Sequence, residues 1–331
     1  MGKEPVWHRL IAGANKPVWH KLLASDGPAI SGSHTRRGFS LIELLVVVSV
    51  IALLLAILLP ALSGARQKGQ STVCMNNLRQ LGQGWNHYAD DNDDICPPGR
   101  YGNAGGGASN PANWYDVGNG MKIRPRWIAT VGKYVGIYAF DAPRTDFERQ
   151  DYDSKVYQCP TVGDWKDERN HGYGYNHQFL GNARKTDGKF HNFPINRSRI
   201  ASFGSTVMAT DCMGTAAGVP AASRQSYMNN GTGFNNMGNH GWTLDPPRLT
   251  ALSERGSGDP GSPRTGVDPR HLGKSNAVFC DGHGETVLPH AIGYRIRSDG
   301  AFADEDPGVL RPNNHWFSLS GRDDDPPLPP S

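Results

Sequence analysis

Residues 39 to 59 read Phe-Ser-Leu-Ile-Glu-Leu-Leu-Val-Val-Val-Ser-Val-Ile-Ala-Leu-Leu-Leu-Ala-Ile-Leu-Leu, 21 residues of which only Ser40, Glu43 and Ser49 are polar. A bilayer core needs about 20 such residues as a helix. The apolar core of a secretory signal is usually about 7–15 residues and ends in a small-residue cleavage site, so this run is too long for one. Residues 1 to 38 carry Lys3, Arg9, Lys16, Lys21, Arg36 and Arg37 against Glu4 and Asp26. That positive flank keeps the N-terminus in the cytoplasm and sends the remainder across. Glu43 stands out, because an ionised side chain inside a membrane helix costs about 2.5–3.5 kcal/mol and is seldom there without a task.

Arg37-Gly38-Phe39-Ser40-Leu41-Ile42-Glu43 resembles the type IV prepilin processing site. The resemblance implies that a prepilin peptidase cuts between Gly38 and Phe39 and methylates the new N-terminal Phe39. It also implies that Glu43 pairs with the N-terminal amine of a neighbouring pilin-like subunit. A buried pair of opposite charge offsets part of the desolvation cost that either charge alone would bear. The expected organisation is a cytoplasmic leader at 1–38 and a transmembrane and assembly helix at 39–60. The location implied is the bacterial inner membrane, single-pass, with the C-terminal part periplasmic or extracellular.

Pro60 should kink the helix, since an interior proline removes one backbone bond and crowds the preceding turn. Beyond it Cys74, Leu78, Leu81, Trp85 and Tyr88 fall on one helical face. This predicts an amphipathic continuation over 61–94 that packs its stripe on a sheet. Asp90-Asp91-Asn92-Asp93-Asp94 follows. It lacks the spacing of a calcium-binding helix-loop-helix and reads as a solvated helix exit.

The rest, 95–320, reads as an exported β-rich domain. The chain has 41 Gly and 24 Pro, well above average usage, which predicts large loops. Expected strands are 156–160, 172–176 (with exposed aromatics), 206–211 and 276–280, the last turning at Asp281-Gly282 into a hairpin partner at 285–288. Asn229-Asn230-Gly231 is an expected turn. Residues 321–331, acidic and proline-rich, are expected to stay unfolded. A net charge of +3 gives no reason to expect a nucleic-acid partner. The fold class expected is α+β, pilin-like: one long kinked N-terminal helix packed on a small antiparallel sheet.

Cys74-Met-Asn-Asn-Leu-Arg-Gln-Leu-Gly82, Cys159-Pro160 and His271 followed after nine residues by Asp281-Gly282 resemble a large group of bacterial pilin-like proteins with an H-X9-DG segment, here 271–282. Their architectural relatives are the pseudopilins of type II secretion, which implies assembly into a pseudopilus or pilus.

His271, Asp281 and His283 lie within thirteen positions, and Asp211 ends another expected strand. Two readings stay open. His271 clasps the Asp281-Gly282 turn, or the two imidazoles and two carboxylates hold a structural divalent metal. No other cofactor and no catalytic residue is expected. None of the five cysteines forms a C-x-x-C pair. Candidate disulfides are Cys212–Cys280, if the two strand ends adjoin, and Cys74–Cys159, tying helix to sheet. The function expected is a structural pilin-like subunit. The alternatives are a membrane-tethered module binding a polysaccharide or protein, and a metal-dependent hydrolase.

Overall fold

The computed structural model describes residues 38–328 except 143–150, 166, 169–170, 182, 187–188, 229–232, 251–252, 254, 257–261 and 305–310. The expected leader, apart from Gly38, and the Asn229-Asn230-Gly231 turn therefore lie outside the described residues. The chain divides into two compact units, one up to Ala56 and one from Ile57 onward. Helix α1, Leu41–Asp91, contains Pro60 and runs through it as one element.

In the first unit the apolar side chains from Leu41 to Leu55 have no cover. Leu41 is 81% exposed and Leu53 64%. The helix α1, of which this stretch is the first part, is long and apolar enough to cross a membrane. Left in water, such a surface would be strongly unfavourable at about 25 cal/mol per Å². The chain is membrane-anchored through it.

In the second unit the predicted stripe is buried: Cys74, Leu78, Leu81 and Trp85 have no exposed surface, and Tyr88 little. Asn77, Gly82, Gly84 and Ala89 are buried beside them. The exit after Asp91 is closed by Arg197, whose Nη2 meets Asp90 Oδ1 at 2.6 Å and whose Nε meets Asp94 Oδ1 at 2.7 Å. The acidic run is thus held by a guanidinium.

Two short strands, β1 (Trp114–Asp116) and β2 (Met121–Ile123), form an antiparallel hairpin, followed by α2 (Trp127–Gly132). The main sheet has β3 (Tyr173–Tyr175), β6 (Val207–Asp211), β7 (Ser275–Phe279) and β8 (Gly284–Val287) in the order β3-β6-β7-β8, antiparallel throughout. A further hairpin pairs β4 (Ala183–Thr186) with β5 (Lys189–Asn192). The fold is α+β, a long helix followed by small antiparallel sheets and loops.

The expected strand at 156–160 is absent. Lys155–Tyr157 and Pro160–Val162 are turns of 3-10 helix. Pro160 opens the second of them, because its missing N–H and fixed φ suit a first helical position better than a ladder. Tyr173 and Tyr175 are fully buried, not exposed. The reason is that the main sheet is covered on both faces. Val278, Cys280, Met208 and Ala209 join the core that holds the α1 stripe and α2. Ala277, Phe279 and Val207 join a second core with Tyr294, Phe302 and Phe317. Alternation along β7 assigns its side chains to the two layers.

The acidic tail is folded as far as Leu328, against expectation. Arg248 Nε bonds Asp323 Oδ1 at 3.1 Å, and its Nη1 pairs with Asp325. Asn314 donates twice to the same segment, its N–H to Asp323 Oδ1 and its Nδ2 to Asp324 O. Arg248 lies 75 positions before Asp323, so local composition does not show it.

His171 is fully buried, with the Tyr152 ring centroid at 5.9 Å. Burial, reinforced by the Arg126 charge, holds its pKa down to about 3. An unfolded His titrates near 6.5. The folded value is the depressed one, so this stability is intact above about pH 6.5 and is lost as pH falls toward 3. Between pH 7 and pH 4.5 the loss from this group should be about 2–3 kcal/mol. Buried Asp245 and Asp268, whose pKa values burial pushes up, act in the opposite sense. The clean measurement is therefore the difference between wild type and His171→Gln in denaturant unfolding at several pH values. It should change by that amount over this window, and a constant difference would refute the assignment.

Candidate functional site

Gly38 and Phe39 precede α1, and Ser40 caps it. The Ser40 backbone N–H donates to Glu43 Oε2 at 2.8 Å, and the Glu43 N–H donates to Ser40 Oγ at 3.2 Å. This is a reciprocal capping box, which satisfies two orphan donors of the first helical turn. Glu43 thus has a partner within its own chain, where the sequence reading assigned it only the amine of a neighbour. The Ser-x-x-Glu spacing carried that signal. The contact leaves the carboxylate exposed at the start of the apolar helix.

The second unit brings four chemically active side chains into one buried cluster. Cys74 projects from the buried face of α1. Cys159 precedes the turn that Pro160 opens. The loop carrying Cys159 is held to the helix by Asn77, whose Nδ2 donates to Gln158 O at 3.1 Å. Asp211 is the last residue of β6. His271 stands just before β7 on a two-residue turn in which His271 and Lys274 exchange backbone bonds at 3.0 and 3.1 Å. Leu272 and Gly273, the central pair, both have positive φ, 55° and 80°, as tight hairpin turns matched to strand twist require.

Cys74 Sγ lies 3.0 Å from Asp211 Oδ1, Cys159 Sγ lies 3.5 Å from His271 Nε2, and His271 Nε2 lies 3.3 Å from Asp211 Oδ2. All four ligand-type atoms fall within 4.8 Å of one another. Asp211 Oδ2 also accepts the Asn276 N–H at 2.7 Å. Asn276 in turn donates its Nδ2 to Ser71 O at 2.9 Å, which fastens the start of β7 to α1. Beside the cluster, the buried Arg270 guanidinium meets Asp268 Oδ2 at 2.9 Å and lies over the Trp165 ring.

The hydrogen bond from Cys74 draws the Cys159 pKa down to about 5 against the effect of burial, with His271 helping. Burial, and the interaction with Cys159 and Asp211, push Cys74 up. Burial alone would lower His271, but its contacts with Asp211 and Cys159 outweigh this and raise it to about 9.

The expected partners of His271 sort differently. Asp211 is beside it, but Asp281 and His283 are not part of the cluster. β6 and β7 are antiparallel, with Val207 opposite Phe279 and Thr210 opposite Ala277. The C-terminal end of β6 therefore faces the N-terminal end of β7, and a five-residue strand spans about 17 Å. His271 and the Asp281-Gly282 turn sit at opposite ends of β7. The turn closes itself: Asp281 Oδ1 accepts the His283 N–H at 3.0 Å and contacts its Nδ1 at 2.5 Å. The His283 ring stacks on Phe279 at 4.4 Å. His271 is accordingly not the clasp of that turn.

The same geometry removes the Cys212–Cys280 disulfide. Cys280 N–H donates to Thr206 O, before β6, while Cys212 follows the far end of β6. Both are buried free thiols. Cys74 and Cys159 do meet, as expected, but as free thiols within the cluster rather than as a disulfide.

No curated protein and no solved structure matches the chain. Residues 33–59 match the family model of the prokaryotic N-terminal methylation motif. That match covers the glycine, the phenylalanine, the glutamate and the apolar run in one frame, and the helix that follows them is continuous to Asp91. The methylation motif and the long apolar helix behind it fit a type IV prepilin-like protein.

Proposed function

We propose that the chain is a structural pilin-like subunit, cut between Gly38 and Phe39 by a prepilin peptidase, methylated at Phe39, and assembled through α1 into a pseudopilus or pilus. The observation that carries this reading is the uncovered apolar helix placed directly behind the methylation motif. The helix has two homes in turn: the bilayer before assembly, and the apolar helices of other subunits after it. The topology that follows is a cytoplasmic N-terminus and an exported second unit, as the basic flank before the span favours.

The other readings have less behind them. Sugar binding needs exposed aromatic faces; among the described residues of the second unit Tyr138 and Phe234 are exposed, whereas Trp85, Trp127, Tyr173, Tyr175 and Trp242 are core residues. A hydrolase centred on His271 and Asp281 lacks its pair, since these lie at opposite ends of β7.

Glu43→Ala tests the assembly role. The variant should still be inserted and cut, and should no longer enter filaments when expressed with wild-type machinery. Its helix should lose only the contact from the Ser40 N–H to the Glu43 carboxylate and keep the Ser40 hydroxyl cap. Filaments of normal length and yield from Glu43→Ala chains would refute the role given to this carboxylate.

A further inference from the structure

We propose that Cys74, Cys159, Asp211 and His271 bind one divalent transition ion, zinc being the ion whose preferences they fit, and that the ion locks α1 onto the main sheet. The inference does not depend on polymerisation; it concerns the second unit alone.

The donor set comes first. Two thiols, one imidazole and one carboxylate are the ligand types that tetrahedral zinc takes, with bonds of about 2.3 Å to sulfur, 2.0–2.1 Å to nitrogen and 2.0–2.2 Å to oxygen. Tetrahedral angles on those bonds separate the donor atoms by about 3.3–3.8 Å. The observed separations are 3.0 Å for Cys74 Sγ to Asp211 Oδ1, 3.3 Å for His271 Nε2 to Asp211 Oδ2 and 3.5 Å for Cys159 Sγ to His271 Nε2. The four ligand atoms lie within 4.8 Å of one another, so an ion seated among them has to draw the longer separations in by up to about 1 Å.

Burial and charge come second. Cys74 and Asp211 have no exposed surface, Cys159 1% and His271 4%. Buried charges are tolerated when they are paired or bind metal. Two thiolates and a carboxylate around a divalent ion leave one negative charge, and the buried Arg270 guanidinium stands next to it. Binding displaces to solvent the protons that the thiols and Nε2 carry, so the site gathers three anionic ligands and one neutral one. All positions are coordinated by protein, which makes the site structural rather than catalytic.

Support around the ligands comes third. Asp211 is oriented by the Asn276 N–H, and Asn276 also accepts from Thr286 Oγ1 at 2.9 Å. Ligands of real metal sites are fixed in this way by the groups behind them. A surface cleft of about 390 Å³ with Ser71, Thr72, His271 and Lys274 in its walls reaches the His271 side of the cluster, which gives an ion a way in. The two contacts Cys74–Asp211 and Cys159–His271 join residues 137 and 112 positions apart. Clips that close long loops restrict the unfolded chain most.

The test uses the full chain, purified in detergent under reducing conditions, stripped with chelator and titrated with zinc and separately with cobalt. Elemental analysis should give one zinc per chain, the cobalt form should show the visible spectrum of a tetrahedral thiolate site, and zinc should raise Tm. Cys74→Ser with Cys159→Ser should abolish all three signals, as should His271→Ala, while Cys212→Ser and Cys280→Ser keep them. Cys159→His, which replaces one zinc ligand by another, should restore a cobalt spectrum with weaker sulfur character. Should the double variant not fold, the stripped wild type decides alone. A folded wild type that takes up no zinc would overturn the proposal. So would zinc retained by the double variant, or a Cys74–Cys159 disulfide in the protein isolated from cells without reductant.

Discussion

Trp85→Ala should lower the unfolding free energy of the second unit by about 3–5 kcal/mol, the cost of a large aromatic truncated to a cavity. Trp85 is fully buried where α1 meets the main sheet. Its Nε1 donates to Tyr175 Oη at 2.9 Å, and its ring lies 6.3 Å from that of Phe203. Tyr175 Oη also bonds Pro97 O at 3.1 Å, so truncation does not strand the phenol. The loss should therefore be dominated by volume and apolar area. Trp85→Phe isolates the polar part. It keeps most of the ring and should cost roughly 1–2 kcal/mol for the missing hydrogen bond and the small void. Since folded domains are stable by only about 5–15 kcal/mol, the alanine variant should show a large drop in denaturant midpoint with an unchanged slope. A loss under about 1 kcal/mol would mean that α1 does not pack on the sheet through this residue.

Two glycines in the same helix should respond with opposite signs to the same substitution. A Cβ at Gly84 would stand 2.4 Å from the Val131 carbonyl oxygen and 3.1 Å from its carbon, both backbone atoms of α2. Backbone cannot give way as a side-chain tip can. Overpacking of this kind costs about 1–3 kcal/mol, which exceeds the gain of about 1 kcal/mol that alanine brings inside a helix. At Gly69 a Cβ meets nothing within 4 Å, so only the gain remains. Gly84→Ala should be destabilised by up to about 2 kcal/mol net and Gly69→Ala stabilised by up to about 1 kcal/mol. Unfolding curves of both variants against wild type decide this. Equal shifts in the same direction would contradict the close approach of α1 and α2.

The contrast between those glycines shows what a sequence carries and what it does not. The α1 stripe from Cys74 to Tyr88 is legible because it recurs with the helical period, and α1 ends at Asp91 where the polar run begins. β6, β7 and β8 are legible as β-rich runs punctuated by Asp281-Gly282. The cluster was half legible. Its four residues all stood out, as a suspected cysteine pair and as a suspected His/Asp group, but in separate groups. What joined them is the antiparallel pairing of β6 with β7, which puts the start of one strand beside the end of the other. The same fact separates His271 from Asp281, so the H-X9-DG spacing measures a strand and its two turns rather than a site.

Other misreadings share a cause. The tail at 321–328 looks unfoldable until Arg248 supplies its counter-charge. β1 and β2 are three residues each, too short for alternation to register. Ser40 was the one missed residue that a local rule could have found, since Ser-x-x-Glu before an apolar helix is the capping-box pattern.

All of the functional account rests on the apolar segment beginning where a processed chain begins. The direct test is mass spectrometry of the N-terminal peptide of the mature protein isolated from membranes. The account predicts a peptide starting at Phe39 and heavier by one methyl group. A mature chain that still begins at Met1, or that starts at an unmodified residue beyond Leu59 with the helix removed, would contradict it.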